Sequence, residues 1–355
     1  MTSIETSYHP VLVTGVTGVP GFNFYAWAKS IYPGSIVAIR PTETWRMKGD
    51  GIYAIDPEDS SSMQRLFEKY KFKSVLNATG SCALKACELN PDLAMKTNVA
   101  SAEVVSSLCS KFKARLVHIS SDLVFSGKCG NGKYLETSEV DPVTNYGKTM
   151  VAGEEMVQKN CPNAAILRIS LPMGPSFNGH AGAIDWIESR FKKSKPATLY
   201  YDEVRSPTYV EDMNKVFEIF LKGDQNGIFH FGGPRYLSLF QIGQIVNKMG
   251  GYDPTLLHGC PRMAAGPIPP RAGNVTMISE KLEKVLGFSP FRSWPYSDEF
   301  VPKDREWHFH RETPHDFSPS FLKNHLYRHS AIVPEPSDYL VQSRHRSVSM
   351  LSPNI

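Results

Sequence analysis

A chain of 355 residues is long enough for one large domain or two modest ones, each with a proper core. Its 39 Lys and Arg stand against 35 Asp and Glu, a net charge of +4 that gives no sign of a nucleic-acid partner. No apolar run reaches membrane-spanning length and no signal-peptide core is present. The six cysteines (82, 87, 109, 129, 161, 260) show no C-x-x-C spacing, so the expectation is a cytoplasmic protein with reduced thiols.

Val11-Leu12-Val13-Thr14-Gly15 is a β-branched apolar run closed by glycine, a strand signal. It leads into Gly15-Val16-Thr17-Gly18-Val19-Pro20-Gly21 and then an apolar-periodic stretch through Phe24, Trp27 and Ala28. Strand, glycine turn and helix in that order suit a dinucleotide. Glycines let the backbone approach a pyrophosphate, and the helix N-terminus favours the anion. Gly15, Thr17, Gly18, Val19 and Gly21 are therefore the first cofactor-binding candidates. Pro20 suits a first helical turn but offers no N–H. The next strand, 35–39, ends at Arg40, with Arg46 and Lys48 close behind. An acidic residue there would serve NAD, whereas arginine accommodates the 2′-phosphate of NADP. NADP(H) is thus favoured over NAD(H), against the plainer reading of a solvated basic loop.

Further strands are predicted at 74–80, 115–121, 164–170 and 227–231. Helices are predicted near 62–70, 98–112, 146–159, 184–191, 210–221 and 239–249. Such alternation argues an α/β fold, a Rossmann-type doubly wound parallel sheet. The division expected is a nucleotide-binding domain over 1–170, a smaller substrate-binding region over 171–290, and an extension over 291–355. Ligands of such sheets lie beyond the carboxyl ends of the strands. Residues 15–21, Arg40, Asp56, 77–80, 120–122 and 171–174 all fall there.

Tyr146 opens a predicted helix in Asn145-Tyr146-Gly147-Lys148-Thr149-Met150. In a Tyr-x-x-x-Lys reductase site the lysine follows by four residues, about one turn, and so shares the tyrosine's face. Its ammonium lowers the phenol pKa and can grip a cofactor ribose. Here that position holds Met150, and Lys148 lies about 200° round the helix from Tyr146.

The chain resembles the extended short-chain dehydrogenases/reductases, most closely the dTDP-4-dehydrorhamnose reductase family, over about residues 10 to 290. The resemblance rests on Thr14-Gly15-x-x-Gly18-x-x-Gly21, Glu88-Leu89-Asn90-Pro91 with Asn98, and Ile119-Ser120-Ser121-Asp122-Leu123-Val124-Phe125. It continues through Tyr146-Gly147-Lys148-Thr149 with Gly153-Glu154, Leu167-Arg168-Ile169-Ser170, Ser206-Pro207-Thr208-Tyr209-Val210-Glu211-Asp212 and 227–233. The resemblance implies that Tyr146 is the general acid and that Ser121 hydrogen-bonds the substrate carbonyl. It implies Asp56 near the adenine, Ala78 and Thr79 at the cofactor riboses, and 171–173, with Met173, at the nicotinamide. Asp122, Arg205 and Thr208 fall on the nucleotide-sugar side. Met150 departs from the family lysine, and Leu123 stands where the reductases often carry tyrosine. The implied activity is NADPH-dependent reduction of a nucleotide-linked 4-keto-6-deoxy sugar, impaired by Met150. The alternative is an NADP-binding regulatory subunit or redox sensor acting through a protein partner, as the β subunit of methionine adenosyltransferase does, or a homodimer.

Beyond residue 290 the resemblance stops. Trp294, Pro295, Trp307, His308, Phe309, His310, Pro314 and His315 follow, and six of the eleven histidines come after residue 300. His308 and His310 would share a strand face, but no cysteine or carboxylate cluster completes a metal site. The expectation is a peripheral layer on the domain surface without metal. Arg344-His345-Arg346-Ser347, with Ser349, reads as a modifiable end.

Overall fold

The computed structural model describes residues 7–327 apart from 82, 180, 181, 313 and 314. The expected modifiable end at 344–349 lies outside the described residues. Among them, seven parallel strands form the central sheet: β1 (Val11–Thr14), β2 (Ile36–Arg40), β3 (Ile52–Ala54), β4 (Ser74–Asn77), β5 (Arg115–Ser121), β6 (Ala165–Ile169) and β7 (Gly227–Phe231). Their order is β7-β6-β5-β4-β1-β2-β3. The strand residues are almost all buried, as both faces of a parallel sheet must be. Val11 and Val13 point to one core and Leu12 to the other, the two-residue alternation of a strand. Helices α1 (Val19–Ile31) and α6 (Val210–Lys222) cover the first face. Helices α2 (Ser60–Tyr70), α3 (Ser101–Phe112) and α4 (Asn145–Asn160) cover the second.

The winding reverses between β1 and β4. From β1 the chain builds outward through β2 and β3, then returns to lay β4 on the other side of β1. The carboxyl ends of these two strands are the place where such sheets bind ligands. Strand 74–80, as predicted, stops early at Asn77, whose side chain accepts the Thr79 N–H at 3.4 Å and turns the chain. The short edge strand β3 was not among the predicted elements; it is only three residues long and half-buried.

A second apolar core gathers α5 (Ala183–Lys192), α7 (Leu239–Met249) and a strand pair, Ala197–Tyr200 with Leu257–Cys260. Helix α7 starts from a capping box between Ser238 and Gln241. The segment after residue 290 departs from its expected place on the surface. Trp294, Phe300, Trp307, Leu322, Leu326 and Tyr327 belong to this second core, and Trp294 is fully buried. Its indole N–H, which needs a partner once buried, donates to the Leu326 carbonyl at 3.1 Å. His308 and His310 do not share a strand face either. They lie in and just after a 3-10 turn, Trp307–Phe309, with His308 buried beside Gln244 and His310 exposed. Among the described residues, no three His, Cys, Asp or Glu side chains converge as a metal site, and no helix is long and apolar enough to cross a membrane.

Candidate active site

The turn after β1 leaves no room for a side chain at two of its glycines, Gly15 and Gly21. Gly15 has φ +64°, and a Cβ on it would stand 2.1 Å from the Ala78 carbonyl oxygen. A Cβ on Gly21 would stand 2.4 Å from the Gly15 oxygen. Gly18 is the N-cap of α1, and no side chain caps that helix; Pro20 sits in the first turn. An uncapped helix N-terminus behind a tight glycine turn suits a pyrophosphate, so these residues fit a dinucleotide. Thr17 is half-buried and Val19 buried in the same turn.

Below the turn a buried chain of hydrogen bonds ties β1, β4 and β5 together. The Thr79 hydroxyl donates to Thr14 at 2.8 Å, Thr14 donates to Asn77 at 2.6 Å, and the Asn77 amide meets His118 Nδ1 at 3.0 Å. Thr79 thus spends its hydrogen inward, and Ala78 is the half-buried residue at this edge. Burial pushes His118 down to about 4, against about 6.5 in an unfolded chain. Between those values the unfolded chain binds the extra proton. Stability therefore falls as pH drops from about 6.5 towards 4, by up to about 1.4 kcal/mol per pH unit for each such histidine. His118→Gln is expected to lower this slope by up to one proton, measured as urea midpoints across that range. An unchanged slope would show that His118 protonates within the fold.

Arg40 and Asp56 are brought together around Thr42. Arg40 donates to the carbonyls of Pro41 at 2.9 Å and Thr42 at 3.3 Å, while Asp56 accepts the Thr42 N–H at 2.9 Å and hydroxyl at 2.8 Å. The Arg40 guanidinium is folded onto its own loop and is largely buried. Arg46, further along this loop, is exposed, as is Lys48, and lies 5.4 Å from the Trp45 ring. Trp45 was not singled out from sequence; an aromatic beside Arg46 and Lys48 was the available signal.

The start of α4 is set by Thr144, whose hydroxyl oxygen accepts the Gly147 N–H at 2.9 Å. A Cβ on Gly147 would stand 2.2 Å from the Leu123 carbonyl oxygen. Only glycine lets this helix seat on the turn Asp122–Val124 that follows Ser121, and the seating carries Tyr146 to that turn. Both Tyr146 and Ser121 are nearly buried. The Ser121 hydroxyl donates to Asp122 at 3.2 Å and accepts the Leu123 N–H at 3.1 Å. One turn beyond Tyr146, Met150 is buried in an apolar cluster with Cys87, Ala94, Leu123 and Phe125. Its sulfur would lie 3.8 Å from a Cβ on Gly80, just beyond the carboxyl end of β4. Lys148 is exposed. A thioether therefore stands where a Tyr-x-x-x-Lys site would hold its cation.

Asp122 and Arg205, both expected on the substrate side, face each other instead. Arg205 grips Asp122 through Nε at 2.7 Å and through Nη2, and Ser170 donates to the same carboxylate at 2.6 Å. Both are buried. Tyr146 lies within electrostatic reach of Arg205, whose charge Asp122 already balances. Thr208 and Met173 sit on paired two-residue strands, and both side chains are fully buried, Met173 within the second core.

Two further arrangements had no role assigned from sequence. Glu154 accepts Arg168 at 2.9 and 2.7 Å and the Ser120 hydroxyl at 2.5 Å, a buried pair anchoring α4 to β5 and β6. Asn98 lies in a π-helical turn, Met95–Ala100. Its amide donates to Thr149 at 2.8 Å, and its oxygen accepts the Ser81 N–H at 2.8 Å. A buried asparagine inside a helix must find such partners, which was the signal available.

The reversed sheet and the glycine turn define a Rossmann-type α/β protein. The chain belongs to the RmlD substrate binding domain family, whose model matches residues 9–299. Methionine adenosyltransferase 2 subunit beta of Danio rerio is 24% identical over 328 residues, 86% of this chain and 94% of that protein. The dTDP-4-keto-6-deoxy-D-glucose reductase of Streptomyces niveus is 22% identical over 286 residues, 80% and 93% of the two chains. The fold is shared with dTDP-4-dehydrorhamnose reductase from Bacillus anthracis str. Ames, solved in complex with NADP. The TM-score is 0.67 at 20% identity, covering 80% of this chain and 95% of that one.

Proposed function

We propose that this protein binds NADP(H) and slowly reduces a nucleotide-linked 4-keto-6-deoxy sugar. The observation that carries the reading is the seating of Tyr146 on the turn opened by Ser121, at the same edge of the sheet as the glycine cradle. Gly15, Thr17, Gly18, Val19 and Gly21 would hold the pyrophosphate. Arg40 or Arg46 and Asp56 would hold the adenosine end, and Ala78, Thr79 and the backbone at Met173 the nicotinamide half. A bound NADPH would supply the hydride that goes to the carbonyl carbon. The Tyr146 phenol gives its proton to the oxygen that becomes the alcohol. The Ser121 hydroxyl turns from Asp122 to donate to that oxygen, and the Asp122–Arg205 pair holds the turn in place. The nucleotide of the sugar would lie against the second lobe, near Arg205 and Thr208. The cytoplasm is the compartment this reading assigns.

A second reading is a regulatory protein that keeps the cofactor and has lost most of the chemistry. Met150 in place of a cation favours it, as does the nearly full-length match to a methionine adenosyltransferase subunit. Titration with NADPH and NADH, followed by addition of a dTDP-4-keto-6-deoxy sugar, separates the two. Tight NADPH binding with measurable oxidation supports the reductase. Tight binding without oxidation favours the regulatory reading, and binding of neither nucleotide overturns both.

A further inference from the structure

The loop after the Pro172–Met173 strand runs against the start of α1, the helix that opens behind the glycine turn. Asn23 donates its amide to the Pro175 carbonyl at 2.8 Å and to the Val19 carbonyl at 2.7 Å. A Cβ on Gly182 would stand 3.2 Å from a Val19 methyl. Ser176 in this loop gives both its N–H, at 2.7 Å, and its hydroxyl, at 2.5 Å, to one oxygen of Asp185. The other oxygen of Asp185 accepts the Tyr327 hydroxyl at 2.7 Å. One buried carboxylate thus joins a loop lying on the cradle helix to a residue 142 positions further along the chain.

The far end of this link is firmly seated. The backbone around Tyr327 is held where Leu326 accepts the Trp294 indole and His325 accepts the Tyr209 hydroxyl at 3.1 Å. Tyr327 also reaches Glu188 at 3.2 Å, and Glu188 accepts the Tyr252 hydroxyl at 2.8 Å. Burial, together with Asp185 and Glu188, pushes the Tyr327 phenol far above its ordinary value, so it remains a proton donor.

We infer that Asp185 is a positioning residue for the nucleotide cradle, through which docking of the Pro319–Tyr327 segment and nucleotide binding stabilise each other. This rests on the nucleotide-binding reading above and adds to it a dependence on the C-terminal segment. A coupling between two sites must be reciprocal. The segment tightens the loop for the nucleotide, and the nucleotide tightens the segment.

The test compares Tyr327→Phe with Tyr252→Phe in the full chain. Both remove one phenol hydroxyl from the same carboxylate pair, but only the first takes a hydrogen bond from Asp185. Tyr327→Phe is expected to weaken NADPH binding about fivefold or more, the low end of coupling between sites. Tyr252→Phe is expected to leave the affinity within about twofold, well under the coupling range. In the wild-type protein, saturating NADPH is expected to slow amide hydrogen exchange over residues 319–327, and this protection should shrink in Tyr327→Phe. Equal losses of affinity in the two variants would reduce Tyr327 to a packing residue and overturn the inference. So would NADPH binding that leaves exchange over 319–327 unchanged. Failure of the wild type to bind NADPH would overturn the nucleotide reading itself, and this inference with it.

Discussion

Gly15→Ala is expected to abolish nucleotide binding and to destabilise the protein by about 2–6 kcal/mol, the sum of backbone strain of about 1–3 and overpacking of about 1–3. Both terms follow from the turn. At φ +64° an L side chain is strained even in open space, and here the space is filled. The new Cβ would meet the Ala78 carbonyl oxygen at 2.1 Å and the Thr79 nitrogen at 2.6 Å, backbone atoms of the neighbouring strand end that have no rotamer to escape into. The turn must lift off β4 or the sheet must open. Either movement disturbs the Thr79–Thr14–Asn77 chain and the first turn of α1 together. Gly18→Ala separates fold from binding, because a Cβ there finds its nearest neighbour at 3.5 Å and φ is −86°. That variant should fold normally and bind nucleotide more weakly, since its methyl sits at the uncapped helix end. Urea unfolding and NADPH titration of the two variants check this. Wild-type affinity in Gly15→Ala would mean that the turn is only a strand-to-helix connection.

This turn was legible in the sequence because its signals are local. A glycine that must take positive φ, a β-branched run before it and an apolar period after it lie within twenty residues. The strand alternation was readable for the same reason, and so was the placement of Lys148 on a different helix face from Tyr146, which helix geometry decides. What escaped depends on partners far apart in the chain. Asp122 and Arg205 are 83 residues apart, and nothing local says that they neutralise each other instead of facing a ligand. Arg40 was correctly placed at the end of β2, but the direction of its guanidinium is set by two carbonyls of its own loop. The segment after residue 290 was misread because aromatic residues without periodicity suit a surface layer and a core equally. Trp294 is buried in a core shared with α5 and α7, and α5 begins 111 positions before it, a separation that no motif spans. Tyr327 carries no motif either, and its importance is visible only where it meets Asp185.

Met150→Lys is expected to restore what the Tyr146 turn lacks, and chiefly in one direction of the reaction. A lysine at this position shares the helix face of Tyr146, one turn on. A cation beside a phenol lowers its pKa by roughly 1–3 units. Alcohol oxidation needs phenolate, so at neutral pH its rate should rise by about 10- to 1,000-fold, the factor by which the ionised fraction grows over such a shift. Reduction uses the protonated phenol and should gain less, through a stronger acid. The pH profile of oxidation should move down by the same roughly 1–3 units, a change that better folding or tighter packing would not produce. The cost is an ammonium placed among Cys87, Ala94, Leu123 and Phe125. The long stem can lie along these apolar groups while its end reaches towards Gly80, which is exposed. Met150→Gln keeps the length without the charge and should change neither rate nor profile. If Met150→Lys folds and binds NADPH but gains no activity in either direction, a cation at this position does not govern the chemistry. The Ser121–Tyr146 turn would then serve binding alone, and the regulatory reading would stand in place of the reductase.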